Sequence, residues 1–148
     1  ALGALQFARG EGAAFDPTGP TPSLVFAATA GGPLELGQLF RLHLGAEGDY
    51  IELVAQASES NVMRAPDNLC VAPCGDVIIA EDGPKTQHLL GLTREGRIYA
   101  IAQNAVSSGE FAGVCFSPDG STLFCNLQRE GLTLAIRGPW PRLRASAV

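Results

Sequence analysis

Arginine, carboxylate and amide side chains occur at three places in this 148-residue chain where their types could do chemistry together. Arg9 and Glu11 form the first group, Asp67 and Asn68 with Glu81 the second, and Glu110 with Asn126 the third. Carboxylates brought close repel one another unless a cation sits among them, and an all-oxygen donor set suits calcium or another hard cation. A guanidinium among such acids can grip an anionic phosphate oxygen with its fork of N–H donors. Plainer readings stand beside these. Glu11 and Glu81 also read as solvated strand ends, Asp67-Asn68 as a cap where a strand begins, Arg9 as half of a rim ion pair, and Glu110 as an outlying surface acid.

Whether these groups meet depends on the elements that carry them, and those elements repeat. Cys70-Val71-Ala72-Pro73-Cys74-Gly75-Asp76-Val77-Ile78-Ile79-Ala80 matches Cys115-Phe116-Ser117-Pro118-Asp119-Gly120-Ser121-Thr122-Leu123-Phe124-Cys125, 45 residues later. Both read as an apolar strand, an x-Pro-x-Gly turn and a second apolar strand. Proline presets the first central turn residue and glycine relaxes the exit, so each copy predicts an antiparallel hairpin. A weaker copy runs through Phe15-Asp16-Pro17-Thr18-Gly19 to Leu24-Val25-Phe26-Ala27-Ala28, with a longer loop. Further strands are expected at residues 38–44 and 50–54 after the first hairpin, at 88–92 and 97–101 after the second, and at 132–136 after the third. Glycine and proline (18 and 10) punctuate the chain too often for a long helix.

A repeat of about 45 residues carrying four strands is the pattern of a β-propeller blade. The fold expected is all-β, a propeller of about three blades at residues 9–58, 65–104 and 110–137, with a C-terminal tail at 138–148. Propellers close with about 4–8 blades, so three would leave edges and apolar faces open. The chain is therefore read either as a fragment whose N-terminal half is missing or as a unit completed by self-association. Aligning the turn prolines Pro17, Pro73 and Pro118 makes Glu11 equivalent to Asp67, and Arg9 to Glu110. These positions open the innermost strand of each blade. The second strand returns to the same end, bringing Glu81 and Asn126, with Asp82 directly after Glu81. All are expected at one end of the central channel, with Asp16 and Asp119 in structural turns at the other.

Bulk properties limit the alternatives. Hydrophobic residues make up 46 % and charged residues 17 %, which is globular rather than disordered. A net charge of −5 with one lysine, Lys85, argues against a nucleic-acid partner. No apolar run reaches the roughly 18 residues of a membrane span. Residues 1–12 lack the basic region and apolar block of a signal peptide, so an exported protein of this kind would carry its signal outside this chain. Cys70, Cys74, Cys115 and Cys125 fit no C-x-x-C pair or zinc spacing and read as small buried residues, with a disulfide open to an exported protein. His43 and His88 read as core or surface residues of outer strands. No G-x-S-x-G elbow, P-loop or H-E-x-x-H is present.

An ordered set of motifs resembles the PhoX-type alkaline phosphatases, calcium-dependent phosphomonoesterases of bacteria. It runs through Phe7-Ala8-Arg9-Gly10-Glu11-Gly12-Ala13, Pro66-Asp67-Asn68-Leu69 and Ile79-Ala80-Glu81-Asp82-Gly83. It is strongest in Glu110-Phe111-Ala112-Gly113-Val114-Cys115-Phe116-Ser117-Pro118-Asp119-Gly120 and closes with Leu134-Ala135-Ile136-Arg137-Gly138-Pro139-Trp140. The resemblance implies a six-bladed propeller, a channel site holding ferric iron (Fe3+) and calcium (Ca2+), hydrolysis of phosphate monoesters, and export to the periplasm or beyond. By motif position Glu11 and Glu81 look like metal-ligand carboxylates and Arg9 like the phosphate-contacting arginine. Asp67, Asn68 and Glu110 match family positions as further metal-site residues. Two departures stand out. The family's first half, including a cysteine ligand of iron, has no counterpart here, so a lone monomer is expected to have little or no activity. The family's N-I-Q-H-P-G reads here Asn126-Leu127-Gln128-Arg129-Glu130-Gly131. The rival expectation is a non-catalytic propeller module that binds calcium or a partner and completes its ring by oligomerisation.

Overall fold

The computed structural model describes residues 3–83 and 85–140. The part of the expected tail beyond Trp140 lies outside the described residues. Eleven strands form three antiparallel sheets, one after another along the chain, with no α-helix among the described residues. The first sheet comprises β1 (Gly10–Asp16), β2 (Ser23–Ala28), β3 (Gln38–His43) and β4 (Tyr50–Gln56). The second comprises β5 (Pro66–Val71), β6 (Val77–Glu81), β7 (His88–Leu92) and β8 (Ile98–Gln103). The third comprises β9 (Phe111–Phe116), β10 (Thr122–Leu127) and β11 (Leu132–Arg137). Each strand pairs with its sequence neighbour, and the three sheets do not close on themselves.

The two x-Pro-x-Gly turns form alike. Gly75 N–H donates to the Ala72 carbonyl and Gly120 N–H to the Ser117 carbonyl, each at 2.8 Å. Both glycines take a left-handed backbone (φ 89° and 67°), the conformation an L-residue adopts at a cost. These turns fix the register of β5 on β6 and of β9 on β10.

The middle sheet is buried on both faces, which explains the unbroken apolar run of β6. By the two-residue alternation of a strand, Val77 and Ile79 enter a core shared with Val25, Leu39 and Met63 of the first sheet region. Ile78 and Ala80 enter a second core with Phe111, Leu123, Cys125 and Trp140. Trp140 meets Phe116 edge-on at 5.3 Å and so anchors the end of the described chain in that core. None of the four cysteines is in a disulfide; Cys125 is buried, Cys70 and Cys74 are half-buried and Cys115 is exposed, so only part of that set behaves as small buried residues.

The outward faces of the two terminal sheets are unlike. On the first sheet Phe7, Phe26 and Phe40 form an aromatic cluster with ring centroids 5.0–5.5 Å apart. Ile51 and Leu53 stand beside it and are 39 % and 49 % exposed. On the third sheet the register puts Cys115, Phe124 and Ala135 in a row, a less aromatic surface.

At one end of the stack a buried ion pair ties the first sheet to the second. The Asp16 carboxylate, fully buried at the end of β1, lies 2.6 Å from Arg41 of β3 and 3.1 Å from Arg94 in the β7–β8 turn. Thr18 donates to it from both its backbone and its hydroxyl. Burial alone would raise the Asp16 pKa, but the Thr18 and Arg41 hydrogen bonds and the Arg94 charge outweigh it, leaving the carboxyl below the ordinary aspartate range. A depressed carboxyl stabilises the fold above its unfolded pKa, and that stability is lost as pH falls through the folded value. Asp16→Asn strands two arginines without their counter-charge and is expected to cost about 3–5 kcal/mol in urea unfolding at pH 7. The acid limb of the stability profile should also flatten in the variant. An unaltered acid limb would mean that another group governs it.

Candidate metal centre

The end of the stack opposite Asp16 is built by the first residues of β1, β5 and β9. These strands pack side by side, β5 between the other two. Gly12 lets β1 approach β5 closely: a Cβ there would lie 2.2 Å from the Asp67 carbonyl oxygen. Thr29 donates to the Pro66 carbonyl at 2.8 Å, and the Asn68 side-chain oxygen accepts from Val114 N–H at 2.7 Å, which stitches all three sheets together at this level.

Each of the three inner strands is also irregular here. Register shifts fall between Gly10 and Ala13, between Pro66 and Leu69, and opposite Phe124–Asn126 in β9. A bulge re-aims the side chains it carries, and these bulges carry Glu11, Asp67 and Asn68. Arg9 and Ala65, the residues just before the first two strands, have φ of 52° and 47°. Such a backbone costs a non-glycine residue about 1–2 kcal/mol, and backbone strain of this kind gathers at working sites.

Asp67, Asp82 and Glu110 offer carboxylate oxygens that lie within 4.8 Å of one another. Burial, then the charges of Glu11 and Asp82, push the Asp67 carboxyl above its usual range, and Arg9 offsets part of this. Burial also raises Glu110, followed by the charges of Asp82 and Asp67 and a hydrogen bond shared with Asp82; a bond from Gln128 pulls partly the other way. Arg9 caps the group, 3.3 Å from Asp82 and 3.6 Å from Glu11. Its hydrogen bond to Asp82 holds the guanidinium pKa above its ordinary value. The crowding is the kind a cation relieves. No histidine or cysteine joins the group among the described residues, so the donor set fits a hard, oxygen-seeking ion.

The structure thus brings Arg9, Glu11, Asp67 and Glu110 together. Asn68 stands beside them with its oxygen committed to β9. Glu81 is outside the Asp67–Asp82–Glu110 group. It shares strand parity with Val77 and Ile79, is 1 % exposed, and accepts from Arg64 N–H at 2.5 Å and meets His88 Nδ1 at 2.9 Å. Burial raises its pKa, while those two partners lower it. The next residue, Asp82, takes the place in the cluster. Its sequence signal was adjacency to Glu81 alone. Asn126 is occupied by Thr133, which donates to it at 2.8 Å, and by the Ala112 carbonyl at 3.4 Å. His43 stacks on Tyr50 and meets Glu52, far along β3 from this end.

The fold and the cluster define an all-β protein with an arginine-capped carboxylate site suited to a hard cation. Residues 1–131 match the family model described as alkaline phosphatase PhoX, and the chain belongs to that family. No curated protein matches it. Among the described residues no helix is long and apolar enough to cross a membrane.

Gly12→Ala would drive a methyl group into the Asp67 backbone and separate β1 from β5. It is expected to lower stability by about 1–3 kcal/mol in chemical denaturation and to weaken calcium binding measured by calorimetry. Calcium affinity unchanged in a destabilised variant would show that the cluster does not depend on this contact.

Proposed function

We propose that this chain forms part of a metal-dependent phosphomonoesterase, with the carboxylates at the end of the stack holding calcium and Arg9 gripping the substrate's phosphate. The observation that carries the reading is the Asp67–Asp82–Glu110 group beside Arg9 in a chain of the PhoX family. Asp67, Asp82 and Glu110, with Glu11 alongside, would hold the ion. Once bound, cations would polarise the phosphoryl group and offset charge on its oxygens. Calcium suits this oxygen set; ferric iron is the second cation that the family resemblance suggests.

The protein's own residues do the rest. Arg9 holds two carboxylates that a cation would neutralise, which frees its N–H donors for a phosphate oxygen. Glu81 acts as a positioning residue: its buried carboxylate fixes the Arg64 backbone one residue before the strained Ala65. Asn68 fixes β9, and with it Glu110. The substrate is a phosphate monoester, met in the periplasm or outside the cell.

The finer fold belongs to the same proposal. Three meanders with β1, β5 and β9 innermost are what three propeller blades would present, with the cluster at the mouth of the channel. The aromatic outward face of the first sheet supports completion by further sheets, from more chain or from a second copy. That face is also what favours the second reading, a non-catalytic module that binds calcium or a partner and closes its ring by association.

Metal content and hydrolysis of a chromogenic phosphate monoester, with calcium and iron supplied, test the first reading. Asp82→Asn should lower metal-dependent turnover roughly a hundredfold or more, since even outer partners of ligands cost 10–100-fold. Arg9→Ala should lower kcat/KM by roughly 10²–10³, the effect of losing one preorganised donor to a charged oxygen. Protein that binds calcium and associates but turns nothing over belongs to the second reading. In the first, specific activity should rise with protein concentration wherever sedimentation shows assembly.

A further inference from the structure

A cleft of roughly 340 Å³ opens directly off the carboxylate group. Asp82 and Glu110 form its inner end, and Arg129 and Ser108 line it further along. Buried amides fix both lips. Gln87, 2 % exposed, accepts from Gly83 N–H at 3.0 Å and donates to the Lys85 carbonyl at 3.1 Å. Asn104, 5 % exposed, accepts from the N–H groups of Val106 and Ser107 and donates to the Gly109 carbonyl at 2.7 Å. These bonds hold the 104–109 loop, and so Ser108, in place. Arg129 donates to the Ser108 hydroxyl at 2.9 Å. Unlike Arg9, Arg41 and Arg94, it pairs with no carboxylate among the described residues. An exposed guanidinium with donors to spare thus stands in a preformed cleft that leads from the candidate metal centre.

We propose that this cleft receives the alcohol portion of the substrate, and that Arg129 selects phosphate monoesters whose alcohol carries a second anionic group, a carboxylate above all. The proposal rests on the phosphatase reading for its chemistry, and it names the substrate class of that site. The geometry has a physical logic. The acidic inner end repels an anion unless cations and Arg9 neutralise it, so one anionic group is taken there only as the phosphate. A second anion on the same molecule needs its own counter-charge further out, and Arg129 supplies it with a fork suited to carboxylate. Ser108 keeps that fork oriented, which reduces the side-chain freedom lost on binding. The loop residue is also a departure of this chain, arginine standing where the resembling motif has histidine.

The test compares phenyl phosphate with carboxyphenyl phosphate on the intact protein in calcium-containing buffer. The native protein should favour the carboxylated ester roughly tenfold in kcat/KM, the size of one charge-assisted hydrogen bond. Arg129→Gln should reduce that ratio to near one, and Arg129→Lys should restore part of it. Binding of benzylphosphonate and its carboxylated analogue, by calorimetry, gives a second readout that needs no turnover. Tighter binding of the carboxylated phosphonate, lost in Arg129→Gln, supports the subsite even if neither ester is hydrolysed; that combination would sink the phosphatase reading alone. Equal binding of the two phosphonates, no binding of either, or a preference that survives Arg129→Gln would each overturn the proposal.

Discussion

The architecture depends on the two-sided burial of the second sheet. β6 has no solvent face: alternate side chains feed two separate cores, and the strand becomes a shared wall between the first and third sheets. Such a wall tolerates no polar residue except one that is satisfied, and Glu81 meets that condition through Arg64 and His88. Because the wall fixes how far apart the flanking sheets stand, it also sets the spacing of β1, β5 and β9. The carboxylate group is therefore a product of core packing as much as of its own loops.

At that end of the stack the backbone departs from regular strand geometry in three places at one level. Positive φ at Arg9 and Ala65 and the bulges that follow turn Glu11 and Asp67 out of the normal alternation. The opposite end shows the other solution to charge near a core. Asp16 is wholly buried, yet two arginines and Thr18 saturate it. The carboxylates of one end are compensated within the chain, while those of the other remain crowded against each other with Arg9 as their only close cation among the described residues.

Much of this was legible in the sequence. The hairpins are written in Pro73-Cys74-Gly75 and Pro118-Asp119-Gly120, because those residue types fix local torsions without help from the rest of the fold. The 45-residue offset then puts Asp67 and Glu110 at one end by arithmetic. The choice between Glu81 and Asp82 was not legible. It turns on the parity of a single residue, and that parity depends on the pairing of Glu81 with Pro66 across a bulge. Arg129 was visible as a departure in the Asn126–Gly131 motif, but its setting was hidden: its cleft is made by loops held through the buried amides of Gln87 and Asn104, and neither residue belongs to a repeating pattern.

The two terminal faces of the stack differ in a way that bears on assembly. One is a cluster of phenylalanines and the other a narrow row of Cys115, Phe124 and Ala135. Continuing the order of sheets from one molecule into the next would set the aromatic face of one on the Cys115 row of its neighbour, a head-to-tail contact rather than a face-to-face one. Head-to-tail contacts generate a ring when the rotation per unit divides a full turn and an open filament when it does not. The angle between adjacent sheets, set by the side-chain volumes in the two cores, thus decides whether the chain can form a discrete particle or only a growing polymer.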